Sequence, residues 1–141
     1  MDIVDTRTGV RWIEVKDCLR MLATKQVGRI GFVVGGIPEI LPVNYVLDGS
    51  AIVFATADGS KLRDVPRKPV AFEVDDTDPV SRSGWSVVIH GMAEEVTNFD
   101  SPAVVSHVRA LPIDPWTAGD KPHLVRIIAT SITGRAVGHA P

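Results

Sequence analysis

The sequence has 141 residues, a formal net charge of −2, 45% hydrophobic and 23% charged residues, and a single cysteine. Such a chain can bury a core without disulfides or a structural metal, and its apolar content excludes a disordered protein. With no basic run, nucleic acid is not expected as a partner, and apolar stretches of only a few residues fall far below the roughly 20 that a membrane-spanning helix needs.

The acidic start Met1-Asp2-Ile3-Val4-Asp5 is unlike a signal peptide, and the lone Cys18 makes no internal disulfide, so the expectation is one cytoplasmic domain over residues 1–141. Val15, Cys18, Leu19 and Leu22 recur at i, i+3, i+4 and i+7, which predicts a helix from about Val15 to Gln26, stopped near Gly28. Cys18 falls on its apolar face and reads as core rather than as a nucleophile. Val27 to Val34 alternates as a strand, Gly35-Gly36 suits a two-residue hairpin turn, and the returning strand runs from Ile37 to Leu47. Asp48-Gly49-Ser50 then turns the chain into a third strand, Ala51 to Thr56.

Lys61 to Val65 has room only for a short helix before Pro66 and Pro69. A fourth strand, Val70 to Val74, precedes a polar loop from Asp75 to Gly84, and a long fifth strand runs from Trp85 to about Val96, with Gly91 marking a bulge or bend. Ser101 before Pro102 caps a second helix, and Leu124 to Ala129 and Ile132 to Val137 complete the strands. Six or seven antiparallel strands without strand–helix alternation predict a mainly β fold, a small closed or split barrel with a few short helices.

Several chemistries lack their residues. His90, His107, His123 and His139 show no metal-ligand spacing, so no metal site is expected, and His90 is expected to face solvent or a dimer seam. Neither a Gly-x-Ser-x-Gly elbow nor a nucleotide-triphosphate loop is present. Glu94-Glu95 and Asp75-Asp76 are strand neighbours that point to opposite faces, so they read as solvated edges rather than paired acids.

Three segments interrupt the apolar strands with polar residues. In Leu41-Pro42-Val43-Asn44-Tyr45 a proline removes a ladder donor, which assigns the strand to an edge or bulge and leaves backbone open to a flat ligand. From Phe54 to Leu62, a strand end, a glycine loop and a helix start gather Thr56, Ser60 and Lys61, which suits a phosphate, although by spacing alone a capped surface helix with a stray lysine is the commoner arrangement. Arg82-Ser83-Gly84-Trp85-Ser86-Val87 sets a flat aromatic face beside a hydroxyl, as core or as a ligand contact.

Together with Val27-Gly28-Arg29-Ile30-Gly31-Phe32 and Pro69-Val70-Ala71-Phe72-Glu73-Val74, these segments resemble the pyridoxamine-5'-phosphate-oxidase-like family of FMN-binding split barrels, and its nitroimidazole-reductase-like branch in particular. The resemblance implies a six-stranded antiparallel split barrel, a homodimer, and two FMN molecules in grooves between the subunits. It further implies that Pro42, Val43 and Asn44 lie along the isoalloxazine ring and that Thr56, Ser60 and Lys61 hold the phosphate. Trp85 and Ser86 would approach from the partner subunit or the groove wall, and Trp116 would cover the ring. The chain ends Gly134-Arg135-Ala136-Val137-Gly138-His139, spaced differently from the family's substrate-binding Arg-x-His, and Ser60 stands where relatives in that branch carry histidine. Neither pyridoxamine-phosphate oxidation nor nitro-drug reduction is therefore implied.

The expected function is a flavin-dependent oxidoreductase acting on a small-molecule substrate. A deazaflavin, which a groove of Lys61, Arg63, Arg67 and Lys68 would suit, or heme are the alternative cofactors, and a non-catalytic flavin-binding or interaction module is the alternative class.

Overall fold

Gly35 and Gly36 hold φ of +56° and +78°, the left-handed pair that a tight hairpin requires, and around them the strands register residue for residue from Val34↔Ile37 to Val27↔Asn44. The structure is a computed structural model describing residues 3–138, so His139 lies outside the described residues. In chain order these form β1 (Ile3–Asp5), β2 (Val10–Ile13), α1 (Val15–Leu22), β3 (Val27–Val34), β4 (Ile37–Asn44), β5 (Val46–Asp48) and β6 (Ala51–Thr56). A 3-10 turn (Lys61–Asp64), β7 (Pro69–Asp78), β8 (Ser83–Val96), α2 (Pro102–Arg109) and β9 (His123–Val137) follow.

All pairings are antiparallel, in the order β1-β2-β9-β8-β7-β3-β4, with β6 joining β9 and β5 joining β6. Tyr45 alone separates β4 from β5. The ladders therefore run round from β3 through β7, β8, β9, β6 and β5 back to β4, which wraps the sheet about one core. Phe54, Phe72, Leu22, Ile30, Ile52, Ile89 and Ile127 are fully buried in it. Cys18 is buried there too, with its thiol toward the Ile13 carbonyl at 3.7 Å. The Tyr45 hydroxyl donates to the Leu22 carbonyl at 2.5 Å and its ring meets Phe72 edge-on, centroids 5.1 Å apart, which ties the end of α1 to the barrel wall.

Several boundaries differ from expectation. Nine strands form among the described residues rather than six or seven, because β1 and β2 add a hairpin to β9 and Tyr45 divides one returning strand in two. The two expected C-terminal strands are one continuous β9, in which Thr130 is left unpaired where the register to β8 shifts between His90 and Gly91. The expected loop Asp75 to Gly84 is mostly ladder, since pairing of β7 with β8 continues to Asp78↔Ser83. No helix of the described residues is long and apolar enough to cross a membrane.

Candidate functional site

Pro42 sits where its missing N–H costs little: β4 ends the main strand order, with β3 on one side and no ladder on the other. Alternation turns Pro42 outward and Val43 toward the core, while Asn44 is half-buried. The backbone N–H of Trp116, in the loop before β9, donates to Asn44 Oδ1 at 2.9 Å. That bond fixes the amide's orientation and leaves Nδ2 buried with no hydrogen-bond partner. A buried donor without an acceptor costs about 1–3 kcal/mol, so this atom suits a ligand that brings one. The Trp116 side chain is itself 69% exposed.

Beyond β6 the chain turns beside the open edge of β4. Thr56 ends the strand and is buried, opposite His123 in register. Ser60 caps the 3-10 turn by accepting from the Leu62 N–H at 3.1 Å, which leaves its own hydroxyl proton to donate. Lys61 Nζ lies 2.9 Å from Glu39 Oε1 on β4, with the lysine side chain 59% exposed. Such exposed pairs contribute about 0–1 kcal/mol, so Lys61 remains available to a stronger anion.

A second cluster flanks the same loop. His123 Nδ1 lies 2.7 Å from Glu95 Oε1, His123 Nε2 contacts Asp58, and Arg63 donates to Glu95 at 2.6 Å. The bond from His123 holds the Asp58 carboxyl below the usual carboxylate range. Sequence reading missed this group because Asp58 and His123 are 65 positions apart; only the pairing of Thr56 with His123 brings them together. Glu95 is thus no solvated edge, whereas Glu94 on the opposite face stands 3.6 Å from Arg126. Lys61 and Arg63, half of the basic groove expected to favour a deazaflavin, are already paired with carboxylates.

Trp85 and Ser86 lie elsewhere. Trp85 is a core residue, and Ser86 faces outward into an open groove of about 510 Å³ lined by Asp75, Arg82 and Arg135 among others. Glu95 lies ten positions beyond Trp85 on β8, about 30 Å along a strand. One chain therefore gathers Pro42, Asn44, Thr56, Ser60, Lys61 and Trp116 along the β4 edge and its flanking loops. Trp85 and Ser86 lie at the other end of β8 from Glu95, while the register from Pro42 through Arg29 and Glu73 reaches Val88, two residues from Ser86 and three strands from the β4 edge. His90 is exposed on the outer face of β8.

On that outer face the acids that couple are Glu73 and Asp75, two apart on β7 rather than adjacent. Burial and then the neighbouring Asp75 push the Glu73 carboxyl up to about 7, against the opposing pull of Arg29 at 3.4 Å.

The uncharacterized protein Rv0080 of Mycobacterium tuberculosis is 32% identical over 124 residues, 84% of this chain and 79% of its own length. The FAD binding protein from Mycobacterium smegmatis superposes with a TM-score of 0.79 at 33% identity, covering 92% of this chain and 99% of that one. A conserved protein of unknown function from Corynebacterium diphtheriae superposes at 0.75 with 32% identity, covering 92% and 98%. A sequence profile described as pyridoxamine 5'-phosphate oxidase matches residues 14–136, nearly the whole of the barrel, and on that match the chain belongs to the pyridoxamine 5'-phosphate oxidase family.

Proposed function

We propose that this protein is a cytoplasmic flavoprotein that binds FMN between two copies of the chain and serves as an oxidoreductase for a small-molecule substrate. The observation that carries the reading is the buried, unpartnered Asn44 Nδ2 on the open edge of β4, with a hydroxyl and an ammonium in the adjoining loop. A flavin matches that set, having acceptor atoms along its ring edge and an anionic phosphate at the other end of its chain. Asn44 would hold the ring edge, Ser60 and Lys61 the phosphate, with Thr56 at the base of the loop and Trp116 over the open side.

Bound flavin supplies hydride and electron transfer, so the protein's share is placement, charge and exclusion of water. A second copy is supported by an apolar outer face. Val33, Ile40, Met92 and Ile128 are exposed there at 54, 71, 38 and 39%, on neighbouring strands whose registers align them.

FAD contains the same ring, ribityl chain and first phosphate, and the M. smegmatis relative favours it as a second reading. Titration of the apoprotein with FMN and with FAD, followed by reduction with NADH or NADPH, tests the proposal. Saturable binding and reduction of the bound flavin support an oxidoreductase, binding without reduction supports a non-catalytic flavin module, and no binding of either nucleotide ends the flavin reading.

A further inference from the structure

The loop of residues 57–60 belongs to no strand, so its course depends on what its side chains hold. Asp58 on that loop meets His123 Nε2, and the other ring nitrogen lies 2.7 Å from Glu95 on β8. Each ring nitrogen therefore faces a carboxylate oxygen, one on the loop and one on β8. Arg63, from the turn that follows, holds the same Glu95 oxygen at 2.6 Å, and Thr56 faces His123 across the ladder from β6. The charged groups around the ring are therefore Asp58, Glu95 and Arg63, from the loop, β8 and the 3-10 turn.

We infer that His123 is a positioning residue for the phosphate: by tying Asp58 to β8 it sets the course of the loop that carries Ser60 and Lys61. This rests on the flavin reading and adds to it a residue that touches neither ring nor phosphate. The tether engages both ring nitrogens, and the loop between Thr56 and Ser60 has Gly59 at φ +78° in its middle, a flexible point that such a restraint holds.

FMN and riboflavin differ only in the terminal phosphate, so they separate loop positioning from general damage. Each is titrated into the full-length apoprotein by fluorescence quenching, for the wild type, His123→Gln, Asp58→Ala and the double variant. Glutamine carries both of its N–H donors on one nitrogen and cannot span the two carboxylates as the two ring nitrogens do. The expected result is a wild-type preference for FMN that falls about tenfold in His123→Gln, with riboflavin affinity within about twofold. Asp58→Ala, whose side chain is 81% exposed and outside the core, lowers the preference in the same direction, and the double variant is no worse than the weaker single. Wild-type protein that binds neither flavin overturns the flavin reading itself. Wild-type binding of FMN with unchanged affinity in the variants, or with parallel losses for FMN and riboflavin, overturns the positioning role alone.

Discussion

Lys61 and Glu73 show how far one side chain's surroundings change what it can do. The Lys61 ammonium already has Glu39 at 2.9 Å, so a phosphate gains a charge-assisted bond and displaces a weak exposed pair. Lys61→Ala is accordingly expected to weaken FMN binding by about 1.5 kcal/mol, the low end of the range for bonds to charged groups. Equal affinity for the variant in a titration assigns the phosphate elsewhere. Glu73 works on stability instead. Its folded carboxyl, raised to about 7 from an ordinary 4.5, keeps a proton that the unfolded chain releases. Stability is therefore lost as pH rises through that interval and is not regained above it. Glu73→Gln removes this contribution, and its melting temperature should change less than the wild type's between about pH 5 and 7. Parallel melting curves contradict the assignment.

At the scale of elements, Tyr45 is the joint on which the returning strand turns from β4 into β5. Its hydroxyl satisfies the carbonyl of Leu22 at the end of α1. Tyr45→Phe keeps the ring against Phe72 but leaves that carbonyl only the 3.5 Å bond from the Lys25 N–H, and should cost about 1 kcal/mol in denaturant unfolding. A change of only a few tenths would mean that water reaches the carbonyl. The elements legible in the sequence were those with strong local punctuation: the hairpin at Gly35-Gly36, the helix capped by Ser101, whose Oγ accepts from Val104 N–H, and the bulge beside Gly91. The edge position of the strand carrying Pro42 was legible for the same reason, since proline removes a donor. β1 and β2 were missed because three and four residues are too few to show a period, and their place is set by pairing with β9. The His123 cluster was invisible because no local pattern reports which strands will be neighbours.

For the molecule as a whole, the ring of strands sets Arg63 and the loop before it beside Glu95 at one end of β8 and Trp85 and Ser86 at the other, with Pro42 three strands from Val88 between them. The apolar outer face that includes Ile40 is the surface proposed to seat a second chain. Ile40→Glu places a carboxylate on that face, where the side chain is 71% exposed. It should leave circular dichroism unchanged, convert the protein to monomer by light scattering, and weaken FMN binding in step. A variant that remains dimeric moves the interface to another face.

The central claim, that this barrel holds a flavin, is tested most directly by the visible absorption spectrum of freshly purified protein, with mass identification of whatever heat releases from it. Expected are the two visible bands of an oxidised flavin and the mass of FMN, with the mass of FAD selecting the second reading. A colourless protein whose spectrum is unaltered by either added nucleotide would contradict it.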